Sequence, residues 1–298
     1  MCRLFGFRSS MDVGVHHSLV LAENALAMQS QKHPDGWGIG YYEADFPILR
    51  RSASSAFVDR DFRQMARFVR SPTVIAHIRA ATVGRIAIEN AHPFQLGRWI
   101  FAHNGTVQNF DQIEAEVLAG IDPDLRIHIA GNTDSERMFH LFLSFLRRAG
   151  VEYHEQAPGN LAADVLGQTV RWLKQLAEKK GCPPPILNFL VTDGRTMAAS
   201  RLGRDLLFST QKRFCGKMEE CGKWQQGAEL PCMNPLRESV INHILIASEP
   251  ISADDVWEQV DEGEILSIDA HFKFHRHRIL KESHQELSER YAPFAMRV

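Results

Sequence analysis

The 298-residue chain predicts a layered α+β fold, in which two mixed or antiparallel β-sheets pack together under helices. Three observations carry that expectation. Apolar runs of strand length cluster at both ends of the chain, two long amphipathic helices lie between them, and Asp193-Gly194 supplies a hairpin turn between two late runs. The regular strand and helix alternation of a parallel sheet is missing.

Taken in order, Leu4 to Arg8 reads as a short buried strand with Cys2 at its head. His17 to Ser30 carries Leu21, Ala25 and Met28 at helical spacing and ends at the turn cluster His33-Pro34-Asp35-Gly36. Trp37 to Tyr42 is a strand, and Trp37 itself reads as a core aromatic. Asp59 to Arg70 is helical, with Phe62, Met65, Ala66 and Val69 on one side, and Thr73 to Ile78 and Trp99 to Ala102 are strands. Helices from about Thr133 to Ala149 and Leu161 to Lys180 follow, and Pro183-Pro184-Pro185 stops the second. Ile186 to Thr192, Thr196 to Leu202, His243 to Ser248 and Ile265 to Ile268 complete the strands. The proline stretch is the only candidate boundary and strands resume directly after it, so residues 2–298 are expected to form one domain.

Composition narrows the function classes. Hydrophobic residues make up 44% and charged residues 23%, as in globular proteins that bury a sizeable core. Lys and Arg total 34 against 36 Asp and Glu, so no dominant field for a polyanion is expected and nucleic acid is not a favoured partner. No run reaches the ~18 apolar residues of a membrane span, and the first residues lack a secretory pattern. A cytoplasmic protein without a membrane partner is expected. Five cysteines do not read as a disulfide framework. Cys215, Cys221 and Cys232 cluster without the tight Cys-x-x-Cys knuckle of zinc sites, so no metal is expected there. His271, His275 and His277 are expected on one solvated strand face rather than around a metal, and Lys281 to Arg290 as a solvated charged run.

The chemistry starts at Met1-Cys2. Removal of Met1 exposes a thiol and a free α-amine on one residue, and an amine with a reference pKa of about 7.7–8.0 suits the task of activating a thiol near ~8.5. Three polar segments accompany it. In Ala76-His77-Ile78-Arg79-Ala80-Ala81-Thr82, Arg79 can bind a carboxylate through two parallel hydrogen bonds or serve an ordinary ion pair. Asn90-Ala91-His92-Pro93-Phe94 precedes His103-Asn104-Gly105, where Asn-Gly is either a turn or a pair of donors for an oxyanion. In Asn132-Thr133-Asp134-Ser135-Glu136, Asp134 either favours a helix N-terminus or holds a substrate ammonium.

Together and in this order, these motifs resemble the class II glutamine amidotransferases, whose glutaminase domain is of the N-terminal nucleophile (Ntn) hydrolase type. Ile246-Ala247-Ser248-Glu249-Pro250-Ile251, Trp257 and Gly263-Glu264-Ile265-Leu266 look like the closing strands of the stand-alone branch, which includes γ-glutamyl hydrolases of thiol metabolism. The resemblance implies a four-layer αββα sandwich of two mostly antiparallel sheets and no cofactor. It implies Cys2 as nucleophile with its own α-amine as base, and Asn104 and Gly105 as oxyanion donors. Arg79 then clamps a substrate α-carboxylate and Asp134 its α-ammonium, while Thr82 and His92 line or support the pocket. His77, His92 and His103 are read as structural histidines, since the α-amine makes a papain-like base unnecessary.

The implied substrate is glutamine or a γ-glutamyl small molecule. Ala80 and Val83 flank Thr82 where the hexosamine-synthesising branch carries a tryptophan and a histidine, so a different glutamine-covering loop is expected. The chain ends at Val298 without a Walker-type loop or Rossmann glycines. Either a synthetase partner accepts the ammonia, or a γ-glutamyl amide is hydrolysed and no ammonia is used. A homo-oligomer is compatible with the sequence. The competing expectation is a catalytically degenerate scaffold acting as a binding or regulatory subunit.

Overall fold

The structure is a computed structural model, described here for residues 2–213 and 240–279. Cys215, Cys221, Cys232 and the charged run Lys281 to Arg290 lie outside the described residues. One sheet holds β1 (Arg3–Gly14), β2 (Trp37–Glu43), β3 (Phe46–Ser52), β4 (Arg70–Ile78), β9 (Leu207–Ser209), β10 (His243–Ala247) and β11 (Glu258–Gln259). Its order is β11-β9-β10-β1-β4-β2-β3. The other holds β5 (Phe94–Leu96), β6 (Trp99–Thr106), β7 (Ile186–Thr192), β8 (Met197–Arg201), β12 (Glu264–Ile268) and β13 (Phe274–Arg278), in the order β13-β12-β8-β7-β6-β5. Every strand pairing between these elements is antiparallel.

Helices cover both outer faces. α1 (Leu26–Gln29) and α2 (Arg60–Phe68) lie on the first sheet; α3 (Glu114–Gly120), α4 (Pro123–Arg126), α5 (Asp134–Arg148) and α6 (Leu161–Lys179) lie on the second. This is the αββα sandwich that the resemblance implied. Alternation along β1 shows why a continuous apolar run was needed. Leu4 joins Ile75, Ile100, Leu190 and Ile246 between the sheets, whereas Phe5 and Phe7 join Leu19, Leu26 and Phe62 under the helices. Each fully buried side chain of this size contributes about 1.5–3 kcal/mol. The same period in β6 sends Trp99 and Phe101 towards α5 and Ile100 and Ala102 between the sheets, so that Asn104 shares their inter-sheet face.

Several expectations are corrected. His17 to Ser30 is not one helix but a π-helical turn at His17–Leu21 and the short α1, separated by extended backbone at Ala22 and Ala25. Tertiary bonds win there. The Asn24 N–H donates to the Ile251 carbonyl at 3.2 Å and its side-chain amide to the Pro250 carbonyl at 2.8 Å, pulling the segment out of helical geometry. Leu21 and Met28 consequently face solvent, while Leu19, Ala22, Ala25 and Leu26 are buried. His271 precedes β13 rather than lying on it, because the chain turns through Phe272 at φ 62°. Trp37 is a core residue whose indole N–H donates to Asp59, the N-cap of α2, at 2.8 Å. Among the described residues no helix is long and apolar enough to cross a membrane, and no three metal-ligating side chains gather.

Candidate active site

The site assembles where β1, β4, β6 and α5 meet. Register sets the first two residues side by side: β1 pairs with β4 as Leu4 with His77 and Arg3 with Ile78, so the next step sets Cys2 abreast of Arg79. The Cys2 Sγ accepts from the Ala80 N–H at 3.4 Å and faces the Ala80 carbonyl at 3.5 Å. Burial pushes the Cys2 thiol up, the Ala80 N–H and the Arg79 cation pull it down, and the Asp134 carboxylate raises it again. Arg79 and Asp134 thus both act electrostatically on this sulfur. A raised thiol needs a base to ionise near neutral pH. The Cys2 carbonyl is held from below by Arg3 at 3.1 Å, and Arg3 is itself ion-paired with Glu249.

Asn104 arrives from the second sheet and is 6% exposed, with its amide Nδ2 donating to Ser248 Oγ at 3.0 Å. The same Ser248 oxygen accepts from the Leu4 N–H at 3.0 Å, tying Asn104 to the strand that carries Cys2. Gly105 must be glycine for packing reasons: a Cβ there would sit 2.0 Å from the Ile186 carbonyl oxygen and 2.4 Å from the His103 ring.

Arg79 is 3% exposed and donates to the carbonyls of Val83 at 2.9 Å and Arg85 at 3.0 Å, which curls residues 80–85 over it. That loop is fastened at its far end. Asn90 donates to the Asn132 side chain at 2.8 Å and accepts from the Asn132 N–H at 3.0 Å, and Gly84 at φ 74° leaves no room for a Cβ beside Asn132. Thr82 is exposed on the loop, its hydroxyl 3.0 Å from that of Thr106.

Asp134 opens α5 after the N-cap Thr133. Its carboxylate accepts from the Val107 N–H at 3.1 Å, the Ser135 N–H at 2.7 Å and the Ser135 hydroxyl at 3.1 Å. The helix N-terminus favours the negative charge. Ser135 also lies 2.9 Å from His103 Nδ1, while His103 Nε2 meets the Ile186 carbonyl at 2.9 Å and therefore carries a proton. His92 sits behind the loop rather than in it, buried and packed on His77 with ring centroids 4.4 Å apart. His77 in turn donates from Nε2 to the His103 carbonyl at 3.2 Å. Cys2, Arg79, Asn104, Gly105 and Asp134 are therefore gathered in one place, Thr82 borders it on the loop, and His92 backs it. Ser248, Ser135 and the Asn90–Asn132 pair were not singled out from sequence as site residues. Their signal is only that each lies inside a motif already quoted.

Burial disfavours the charged form of all three histidines. Burial lowers His77 from 6.5 to about 3, pushes His92 well below the usual imidazole range and lowers His103. None is then a half-ionised base at neutral pH. The same burial makes the fold acid-sensitive. An unfolded chain takes up these protons near 6.5 while the folded His77 resists them to about 3, so stability falls as pH drops through that window. Each such histidine contributes a slope of about 1.4 kcal/mol per pH unit there. Denaturant midpoints measured from pH 7 to 4 are expected to fall, and the fall should be shallower in a His77→Gln variant.

Two antiparallel sheets between outer helices, with Cys2 at the head of an inner strand, make the fold of the Ntn type of glutamine amidotransferase. The chain belongs to the class-II glutamine amidotransferases, enzymes of the amidohydrolase kind, whose family model matches residues 1–289. It is 28% identical over 319 residues to the probable glutamine amidotransferase DUG3 of Saccharomyces cerevisiae, covering 96% of this chain and 86% of that one. Over 117 residues, 36% of this chain and 50% of the other, it is 36% identical to a γ-glutamyl-hercynylcysteine sulfoxide hydrolase of Mycobacterium tuberculosis. A solved class-II glutamine aminotransferase domain protein from Silicibacter pomeroyi shares the fold, with a TM-score of 0.61 at 20% identity over 94% of this chain and 100% of that chain.

Proposed function

We propose that this protein hydrolyses the γ-amide of glutamine or of a γ-glutamyl compound through a γ-glutamyl thioester on Cys2. What supports this is that Arg79 and Asp134 act on the Cys2 sulfur from two other elements, while Asn104 is tied through Ser248 to Leu4, two residues from Cys2. With Met1 removed, the α-amine of Cys2 takes the thiol proton and the thiolate adds to the γ-carbon. Asn104 Nδ2 and the Gly105 N–H donate to the oxyanion. The C–N bond then breaks, the protonated α-amine returns its proton to the leaving nitrogen, and ammonia or an amine departs. Water, deprotonated by the same amine, attacks the thioester and releases glutamate and the free thiol.

Arg79 offers the substrate α-carboxylate a rigid fork and Asp134 offers the α-ammonium its remaining acceptor capacity. Thr82 lines the pocket on the loop and His92 supports it from behind. Residues 2–298 act as one glutamine amidotransferase domain, and the ammonia goes either to a synthetase partner or to solvent. A catalytic thiolate suits a reducing compartment such as the cytoplasm. The test is glutamate release by Met-free protein from glutamine, γ-glutamyl amides and γ-glutamyl peptides. Glutamate equimolar with ammonia or amine is the expected result. No turnover of any of the three by protein with a fully processed N-terminus would leave a non-catalytic subunit instead. Fast cleavage of a γ-glutamyl peptide with little of glutamine would select the hydrolase over the ammonia donor.

A further inference from the structure

We propose that Ser248 is a positioning residue for catalysis: its hydroxyl oxygen holds the Asn104 amide in the orientation that aims one N–H at the reacting carbonyl. The proposal rests on Asn104 as an oxyanion donor. Ser248 lies just past β10, opposite Leu4, where its own N–H donates to the Leu4 carbonyl at 3.2 Å. Its Oγ accepts from two nitrogens, Leu4 N and Asn104 Nδ2, each at 3.0 Å. A hydroxyl oxygen has two lone pairs, so both are committed.

Three consequences follow from that one atom. First, an asparagine amide turns about a broad, two-fold torsion, and a fixed acceptor at its nitrogen removes that freedom. Second, the nitrogen has two protons, and with one bound to Ser248 the other remains for an oxyanion. Third, Leu4 is two residues from Cys2, so the donor on the second sheet and the nucleophile on the first are referenced to the same oxygen. Preorganised donors of this kind owe their effect to not having to reorient during reaction. Ser248 and Asn104 are 7% and 6% exposed, so water does not readily replace the lost contact. The neighbouring Glu249 acts on the other side of the nucleophile, pairing with the Arg3 side chain that donates to the Cys2 carbonyl.

A double-mutant cycle with the Met-free protein and glutamine or the best γ-glutamyl substrate tests this. Ser248→Ala is expected to lower kcat by roughly 10- to 50-fold with KM changed less than about twofold, because the contact matters only as charge develops. In an Asn104→Ala background the same substitution should change kcat by less than about twofold. A multiplicative loss in the double variant, or a loss confined to KM, overturns the proposal while leaving the oxyanion role of Asn104 standing. An unchanged kcat in Asn104→Ala alone would overturn both. Ser248→Thr and Ser248→Val share one shape and differ by the acceptor, so packing effects cancel between them. The threonine variant is expected to turn over at least ~10-fold faster, and equal rates overturn the proposal.

Discussion

Cys2→Ala is expected to abolish turnover, with a loss of at least ~10⁴-fold, while leaving the thermal midpoint within a few degrees of the parent. The first half follows from chemistry. No other described cysteine reaches the site, since Cys182 is buried 8% exposed beside Asn109 and Gln112 on the far helical layer. The second half follows from contacts. Cys2 is half-buried and, among the described residues, its side chain makes two long sulfur contacts, both to Ala80, whose loss costs little beside the core around Phe5 and Leu4. Glutamate release and differential scanning calorimetry measure the two halves. An electrophilic glutamine analogue should add one mass increment to the N-terminal peptide of the parent and none to that of the variant. Retention of Met1 should silence the parent in the same assay, because a peptide-bonded nitrogen cannot accept the thiol proton. Intact-mass measurement of the N-terminus therefore accompanies every rate. Residual turnover within tenfold of the parent would show that the nucleophile lies elsewhere.

How much of this was legible depends on where each group's partners lie. β1, β4, β6 and β7 announce themselves because both of their faces are covered, so each carries a short continuous apolar run, at residues 4–7, 74–76, 99–102 and 189–191. β3 was missed because it is an edge strand carrying Pro47 and two arginines, and β9 and β11 because they are only three and two residues long and exist by tertiary pairing outward from β10. The segment from His17 to Ser30 misled for the opposite reason. Its spacing is helical, yet Asn24 finds main-chain partners at Pro250 and Ile251, about 226 positions away, and no local pattern reports such a partner.

The site divides the same way. Cys2, Arg79, Asn104 and Asp134 stand where apolar runs give way to polar residues at the ends of strands or the start of a helix. Such places are exposed to a pocket yet fixed by a core. Ser248, Ser135 and Asn90 are small polar side chains of an ordinary kind. Their roles come from what they touch: Ser248 reaches Asn104 across 144 positions, and Asn90 reaches Asn132 across 42. His92 illustrates the converse. Its motif suggested a place lining or supporting the pocket, and in the structure its ring packs against His77 and edge-on to Phe94.

Asn104→Ala is the second large effect, with an expected loss of 10²- to 10³-fold in kcat, about 3–4 kcal/mol of transition-state stabilisation, and a KM within a few-fold of the parent. The split is the informative part. In the proposed mechanism Arg79 and Asp134 meet the amino-acid end of the substrate, which does not change during reaction, so their losses should fall mainly on KM. In the same mechanism Asn104 meets an oxygen that becomes anionic only after the sulfur adds, so its loss should fall on kcat. A γ-aldehyde analogue of glutamine sharpens the measurement, because its thiohemiacetal with Cys2 places an oxyanion-like oxygen in the same position without a leaving group. Its inhibition constant should weaken in Asn104→Ala in proportion to the fall in kcat/KM, whereas the affinity of a product-like glutamate should change little. Equal weakening of both ligands would make Asn104 a ground-state contact and return the oxyanion to Gly105 and the main chain alone.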